Sequence, residues 1–359
     1  MFDIYSTHTL LMAVEQVTPV RSFLRDRYFP TNESTDIFST DDVLVEYKDG
    51  KKRLAPFVSP RKGGVTITRE GYTTNSYTPP NIAPRRVLTV DELNKKGFGE
   101  ALYSKLTPEQ REGAIIVNDA VELGDLITRR EEAMAAETMQ NNGCVMRHYA
   151  DKGDEYEEKE IRFYDEAANP AIYTPTVKWD ATGAAIMKDI AAMCRALKRR
   201  GLPATDVLCG PEVADVIQND PDILKKLDIA KLNIGGVDPE ELPEGVTKIA
   251  RLNCSGNLVD VLCYEETYED DDGSVVSYIK RGKVIVTAPA CGRTLYGAVT
   301  QLEQSDGRFH TYAARRVPKY VSDANTNVRT ITVTARPLMI PNNKNPWIVA
   351  DVLTAASGV

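Results

Sequence analysis

The chain has 359 residues, 42% hydrophobic and 27% charged, so it can hold one large or two ordinary domains with real cores. Its net charge of −8 argues against a dedicated nucleic-acid-binding surface, because phosphate affinity needs a basic footprint. No run of about 18 apolar residues is present to span a membrane, and Met1-Phe2-Asp3-Ile4-Tyr5 lacks the pattern of a signal peptide, so a cytoplasmic protein is expected.

In chain order, a short amphipathic helix is predicted at Leu10 to Gln16, then Pro19 and a second turn through Phe23 and Leu24. The phrase Leu24-Arg25-Asp26-Arg27-Tyr28-Phe29-Pro30 closes this opening. Val43-Leu44-Val45-Glu46-Tyr47 reads as a strand, and Asp49-Gly50 after it is a tight-turn signal. Asp49 to Pro84 then runs for 36 residues on few large apolar side chains: Leu54, Phe57, Val58, Val65, Ile67 and Ile82, helped by Tyr72 and Tyr77. Five prolines and four glycines interrupt them. Ordering each residue costs roughly 1–2 kcal/mol of backbone entropy, more than this stretch recovers from its own burial. Yet Val65-Thr66-Ile67-Thr68 alternates with the period of a strand. A β-arm that completes its burial on a neighbouring subunit satisfies both facts, and it points to an assembly protein rather than a catalyst. The arm ends near Val87-Leu88-Thr89-Val90.

The clearest helix follows. Thr107 reads as its N-cap, Pro108 as its first helical position and Gln110 as the capping-box partner. Ile116, Ala120, Leu123, Ile127 and Met134 recur at helical spacing and form one buried stripe. Asn141-Asn142-Gly143 supplies the stop. Unbroken, this helix is roughly 50 Å long. Gly113 and Gly124 each weaken it by about 1 kcal/mol relative to alanine, which invites a bend.

Asp151 to Glu160 is strongly acidic, and Lys159 to Phe163 starts a strand. From Trp179 the elements alternate. Asp180 is expected to cap a helix whose buried face is Ile186, Ile190, Met193, Cys194 and Leu197, ending at Arg199-Arg200-Gly201. A strand is predicted at Asp206 to Cys209, then a helix opened by Gly210-Pro211 through Val213, Val216 and Ile217. Strands at Leu258 to Tyr264 and Val275 to Lys280, joined across 269–273, and another at Lys283 to Thr287 complete a compact α+β unit. Val328 to Val333 alternates as a strand before Pro337, Pro341 and Pro346.

Catalytic and metal chemistry find little support. The six cysteines (Cys144, Cys194, Cys209, Cys254, Cys263, Cys291) show no metal-ligand spacing, and only His8, His148 and His310 are available to join them. Small buried hydrophobes are the better reading of these thiols. Cys209 precedes a helix N-terminus, where a thiol pKa can fall, but the nearest histidine in sequence is His148 and a core cysteine at a strand end is favoured. Asp270-Asp271-Asp272-Gly273 lacks the alternate spacing and terminal glutamate of a calcium loop and reads as a solvated hairpin turn. No phosphate loop, dinucleotide fingerprint, zincin motif or nucleophile elbow occurs. No catalytic, cofactor-binding or metal-binding residue is nominated. From Asp41 to Arg86 there are nine Lys or Arg against five Asp or Glu, while Asp154–Glu160 and Glu265–Asp272 are acidic. Opposite patches on one chain suit head-to-tail contact between copies, and solvated faces account for them about equally well.

These phrases, in this order, resemble the lambda-type major capsid proteins of tailed bacteriophages. Leu24 to Pro30 is similar to that family's L-x-D-x-x-F-P phrase, and Leu54-Ala55-Pro56-Phe57-Val58 to its A-P-x-V phrase. Pro79-Pro80-Asn81-Ile82, Gly97-Phe98-Gly99-Glu100, Trp179, Val207-Leu208-Cys209-Gly210, the stretch Val261 to Val284 around Tyr268, and Arg336-Pro337-Leu338 extend the resemblance over nearly the whole chain.

The resemblance implies an α+β fold of the Hong Kong 97-like capsid type. Its parts would be an N-terminal arm (1–40), an extended β-loop (41–90), a peripheral domain (91–178) with spine helix 108–142, an axial domain (179–315), and C-terminal strands (316–359) returning to the peripheral domain. It implies a major capsid protein that self-assembles into hexamers and pentamers of an icosahedral head enclosing double-stranded DNA without sequence-specific binding. Scaffold, portal and decoration proteins are the implied partners; no cofactor and no catalytic site are implied. Such a protein assembles in the host bacterial cytoplasm and ends in the virion. The expected contact with a neighbouring copy is Leu54, Pro56, Phe57 and Val58, flanked by Lys51, Lys52 and Arg53. The competing reading is a cytoplasmic α+β enzyme or ligand-binding protein forming a small homo-oligomer, with its ligand beside Gly210 or Asp270.

Overall fold

A computed structural model describes residues 20, 22–47, 73–91, 108–149, 156–163, 171–227, 235–236, 240–242, 245–270 and 273–354. Its centre is an eight-stranded mixed sheet. The strand order is Ala171–Tyr173, Ile348–Asp351, Lys283–Thr287, Asp206–Cys209, Asn257–Tyr264, Val246–Cys254 and Gly235–Gly236, with Glu240–Glu241 also pairing to Val246–Cys254. The pairs 171–173 with 348–351 and 206–209 with 257–264 are parallel; the others are antiparallel.

The inner strands are continuous apolar runs because both faces are covered. Val207, Cys209, Val284, Val286, Ile348 and Ala350 face a cluster shared with the helices Ile186–Arg200 and Pro211–Gln218. Their alternates, Leu208, Ile285 and Val349, face the larger core, as the period of two requires. The helix boundaries follow local chemistry. Gly201 takes φ 89° after three cations and returns its N–H to Leu197 and Lys198, as a left-handed C-terminal cap does. Asp180 does not cap this helix: Ala185 holds that position, and the Asp180 carboxylate instead accepts the Thr354 N–H at 2.9 Å.

The helix Pro108–Asn141 is a single unbroken element of 34 residues, so neither glycine interrupts it. Its first half packs Ile116, Ala120, Leu123 and Ile127 against Ile331 and Val333 of a three-stranded sheet, Val317–Asp323, Val328–Thr334 and Arg85–Thr89, and against Ala335 just beyond it. Its second half enters the larger core through Ala133, Met134, Ala135, Ala136 and Met139. Asn142 turns left-handed at φ 58° to end it. Gly143 then runs so close to Ile161 that a Cβ there would collide with the Ile161 carbonyl.

Two strand expectations change. Leu258 to Tyr264 pairs with the unpredicted strand Val246–Cys254 and with Asp206–Cys209, not with the segment after Asp272. The acidic turn instead joins two three-residue strands, Thr267–Glu269 and Val275–Ser277. The second stops early because Tyr278 and Ile279 are drawn into the core, where Gln140 Nε2 donates to the Tyr278 carbonyl at 2.8 Å. The last strand, Ile348–Asp351, joins the central sheet rather than the long helix. Its Ile348, Val349 and Ala350 are all buried and need cover on both faces. Among the described residues, no helix is long and apolar enough to cross a membrane.

Candidate assembly surface

Two antiparallel β-ribbons rise from the core cluster that holds Met139 of the long helix. One pairs Val43–Tyr47 with Thr73–Tyr77 in unbroken register, from Val43 opposite Tyr77 to Tyr47 opposite Thr73. The other pairs Gly143–Tyr149 with Tyr156–Arg162. Alternation decides the first ribbon's orientation: Val43 and Val45 are buried, while Leu44 between them is 61% exposed. The ribbons touch at their roots, where the Tyr77 and Phe163 rings meet edge-on at 5.3 Å. Thr78 donates to Asp42 at 2.7 Å, and Arg336 pairs with Asp41 at 2.6 Å, so both strands are tied down where they leave the core.

The seven nominated contact residues, Lys51, Lys52, Arg53, Leu54, Pro56, Phe57 and Val58, lie outside the described residues, between the two strands of the first ribbon. The predicted helix at Leu10 to Gln16, Thr107 and the phrase at Gly97 also lie outside them. What the structure does show is that the chain flanking residues 48–72 is a paired ribbon with an anchored root.

A second feature lies beneath. The phrase Leu24 to Pro30 overlaps a short helix, Phe23–Tyr28, held by Glu131 and Glu132 in the second half of the long helix. Glu132 accepts the Leu24 and Arg25 N–H groups at 2.7 and 2.9 Å and the Tyr264 hydroxyl at 2.8 Å. It thereby satisfies donors that a helix of this length leaves open. The adjacent Glu131 is fully buried and receives Arg316 through both guanidinium nitrogens at 2.7 and 2.8 Å, Arg25 at 2.8 Å and Tyr296 at 3.1 Å. Asp206 closes the other end, accepting Arg27 at 2.7 Å and Tyr28 at 3.1 Å. Phe29 completes the lock against Trp347, rings 5.9 Å apart.

The two neighbouring glutamates titrate in opposite directions. Burial pushes the Glu132 carboxyl up to about 7, and its hydrogen bonds only partly offset this. Burial also opposes ionisation of Glu131, but the Arg316 and Arg25 guanidiniums outweigh it and hold that carboxyl below its usual range. Sequence reasoning missed both, because adjacent glutamates in a helix read as a solvated pair. The available signal was the alanine- and methionine-rich run 133–139 directly after them, which marks a helix end buried on every side.

Two stretches weighed for chemistry remain. Cys209 is a core thiol pushed well up by burial, with Sγ 3.6 Å from the Leu262 carbonyl. Asp271 and Asp272 lie outside the described residues, and among the described residues no group of three His, Cys, Asp or Glu could hold a metal ion.

Residues 6–352 match the family model described as phage major capsid protein E. The P21 prophage-derived major head protein of Escherichia coli O6:H1 strain CFT073 is 22% identical over 355 residues, covering 97% of this chain and 99% of that protein. The major capsid protein of Enterobacteria phage P21 matches with the same identity and coverage. A crystal structure of a prophage capsid protein from E. coli CFT073 superposes with TM-score 0.62 at 14% identity, covering 95% of this chain and 94% of that one. A phage-related protein from Bordetella bronchiseptica RB50 gives TM-score 0.51 at 8% identity, with 95% of each chain covered. The architecture is the Hong Kong 97-like capsid fold anticipated above.

Proposed function

This chain belongs to the phage major capsid protein E family and is a component of the virion, and we propose that its copies form the hexamers and pentamers of an icosahedral head around double-stranded DNA. The observation that supports this reading is the anchored ribbon of Val43–Tyr47 and Thr73–Tyr77, whose strands flank residues 48–72, a stretch with too few large apolar side chains to bury itself. Those residues carry seven Lys or Arg against two Asp or Glu. Leu54, Pro56, Phe57 and Val58 supply the apolar contact with a neighbouring copy, and Lys51, Lys52 and Arg53 set its register. Many copies of one modest contact then act together, driven by apolar burial and multiplied by avidity.

On this reading the ranges 1–40, 41–90, 91–178, 179–315 and 316–359 act as arm, extended loop, peripheral domain, axial domain and C-terminal strands. Assembly takes place in the host bacterial cytoplasm with scaffold, portal and decoration proteins as partners. DNA is contained rather than gripped, in keeping with the net charge of −8. The protein acts as a building block and not as a catalyst. The competing ligand-binding reading has no support at either of its two places. The Glu212 carboxylate lies 3.3 Å from where a Gly210 Cβ would sit, and the Asp270 N–H is spent on the Ser274 carbonyl at 2.8 Å. Electron microscopy of the purified protein tests the proposal: shells or capsomers support it, and a preparation containing only small particles would sink it.

A further inference from the structure

Five residues of the helix Ile186–Arg200 are exposed: Lys188, Arg195, Lys198, Arg199 and Arg200. All five are cations, in a chain of net charge −8. Lys188, Arg195 and Arg199 are spaced seven and four apart, which aligns them along one face over roughly 16 Å. Among the described residues, none of these three pairs with a carboxylate. Lys198 donates to the Asn257 side chain, and Arg200 to the Asn345 carbonyl.

A complementary surface exists on the same chain. Residues 265–272 hold six carboxylates and no Lys, Arg or His. Glu265, Glu266 and Glu269 are exposed, on a hairpin fixed by Tyr264, Tyr268 and Tyr278. Those tyrosines belong to the larger core, whereas the cationic helix covers the opposite face of the central sheet. One copy therefore cannot bring its own two patches together. Opposite charges on opposite faces of one sheet define a head-to-tail contact, the kind that closes into rings.

Resting on the assembly reading above, we infer that the cationic face of Ile186–Arg200 docks on the exposed Glu265, Glu266 and Glu269 of a second copy. Exposed charge pairs add little affinity singly, but they set partner register and suppress wrong pairings. A nucleic acid is the less fitting occupant, because it would have to approach a protein of its own sign of charge for the sake of five cations.

The test reverses each patch in the full-length chain. One variant carries Arg195→Glu and Arg199→Glu, a second carries Glu265→Lys, Glu266→Lys and Glu269→Lys, and a third combines them. Circular dichroism checks folding, and sedimentation with electron microscopy reads assembly. Each single-patch variant is expected to fold and to lose shells and capsomers at least tenfold, while the combined variant recovers most of the parental yield. Unchanged assembly of the first two, or a combined variant no better than either, overturns the inference. So does a helix variant that assembles normally but loses co-purifying nucleic acid, which gives that face to the other occupant. A parent that forms neither shells nor capsomers sinks the assembly reading and this inference with it. A parent that assembles beside equally competent variants sinks this inference alone.

Discussion

Arg316 grips Glu131 through two parallel bonds, Nη1 to Oε1 at 2.7 Å and Nη2 to Oε2 at 2.8 Å, in the interior of the protein. Arg25 takes the same carboxylate from the other side at 2.8 Å. One residue of the long helix thus joins the N-terminal phrase to the segment that opens the C-terminal strands. Planar guanidinium and carboxylate groups match in this two-pronged geometry, which a lysine could not reproduce.

Glu131→Ala removes the charge that both arginines share: Arg25 keeps only Asp26, at 2.7 Å, and Arg316 loses the carboxylate it grips. Breaking a buried pair by deleting one partner costs roughly 3–5 kcal/mol, so a loss of that size in urea-unfolding free energy is expected. A loss under about 1 kcal/mol would show that water reaches the junction.

Glu132 makes stability depend on pH. Its carboxyl is pushed from 4.5 to about 7 in the folded chain, chiefly by burial. Between those values the folded state keeps a proton that the unfolded state has released, so stability falls as pH rises. The contribution is fully present below pH 4.5 and is lost above pH 7; at 1.36 kcal/mol per unit it amounts to about 3 kcal/mol. Glu137, also raised by burial, adds in the same direction, so the comparison must be with Glu132→Gln. Urea titrations at pH 5 and pH 8 should show a smaller pH difference in that variant than in the parent. Equal differences would remove Glu132 from the account.

Gly124→Ala and Gly113→Ala are expected to stabilise the isolated chain by about 0.5–1 kcal/mol each, since alanine is the better helix former. Both glycines sit inside Pro108–Asn141 with no atom within 4 Å of an added Cβ. Gly292→Ala should do the opposite. Its Cβ would strike the Phe29 ring and lie 2.6 Å from the Ile340 carbonyl oxygen, and overpacking of this kind costs about 1–3 kcal/mol. Thermal melts of the three variants check both signs.

Deleting residues 51–62 should leave a folded, soluble protein, because the ribbon pairs that flank this segment already rest on the core. Shortening a loop shifts stability by only about 0.5 kcal/mol. Electron microscopy should find no shells. A deletion protein that still forms them would show that the contact lies elsewhere.

Much of the local structure was legible in the residues. The helix ending at Gly201, the strand Asp206–Cys209, the helix after Gly210-Pro211 and the strand Lys283–Thr287 all carry short-range signals: caps, cations in a last turn, apolar runs. The long helix was legible for the same reason, through a stripe from Ile116 to Met134. Such signals depend on neighbours within about four positions, and the chain carries them wherever it folds.

Pairing and burial were not legible, because they depend on residues far apart in the chain. Nothing near Leu258 says that its strand lies parallel to Asp206–Cys209, and nothing near Ile348 says that it completes the same sheet. Glu131 and Glu132 look alike in sequence, yet one is held ionised by Arg25 and Arg316 while the other is pushed toward its neutral form. The burial of a charge and the identity of its partner are set when distant segments close around it. The residues alone could nominate the arm between Asp49 and Pro84 as unable to order itself, since its composition sets the burial it lacks. The folded chain adds the anchored ribbon from which that arm departs, because a ribbon's root is held by contacts with Phe163 and Arg336 that lie far away in sequence.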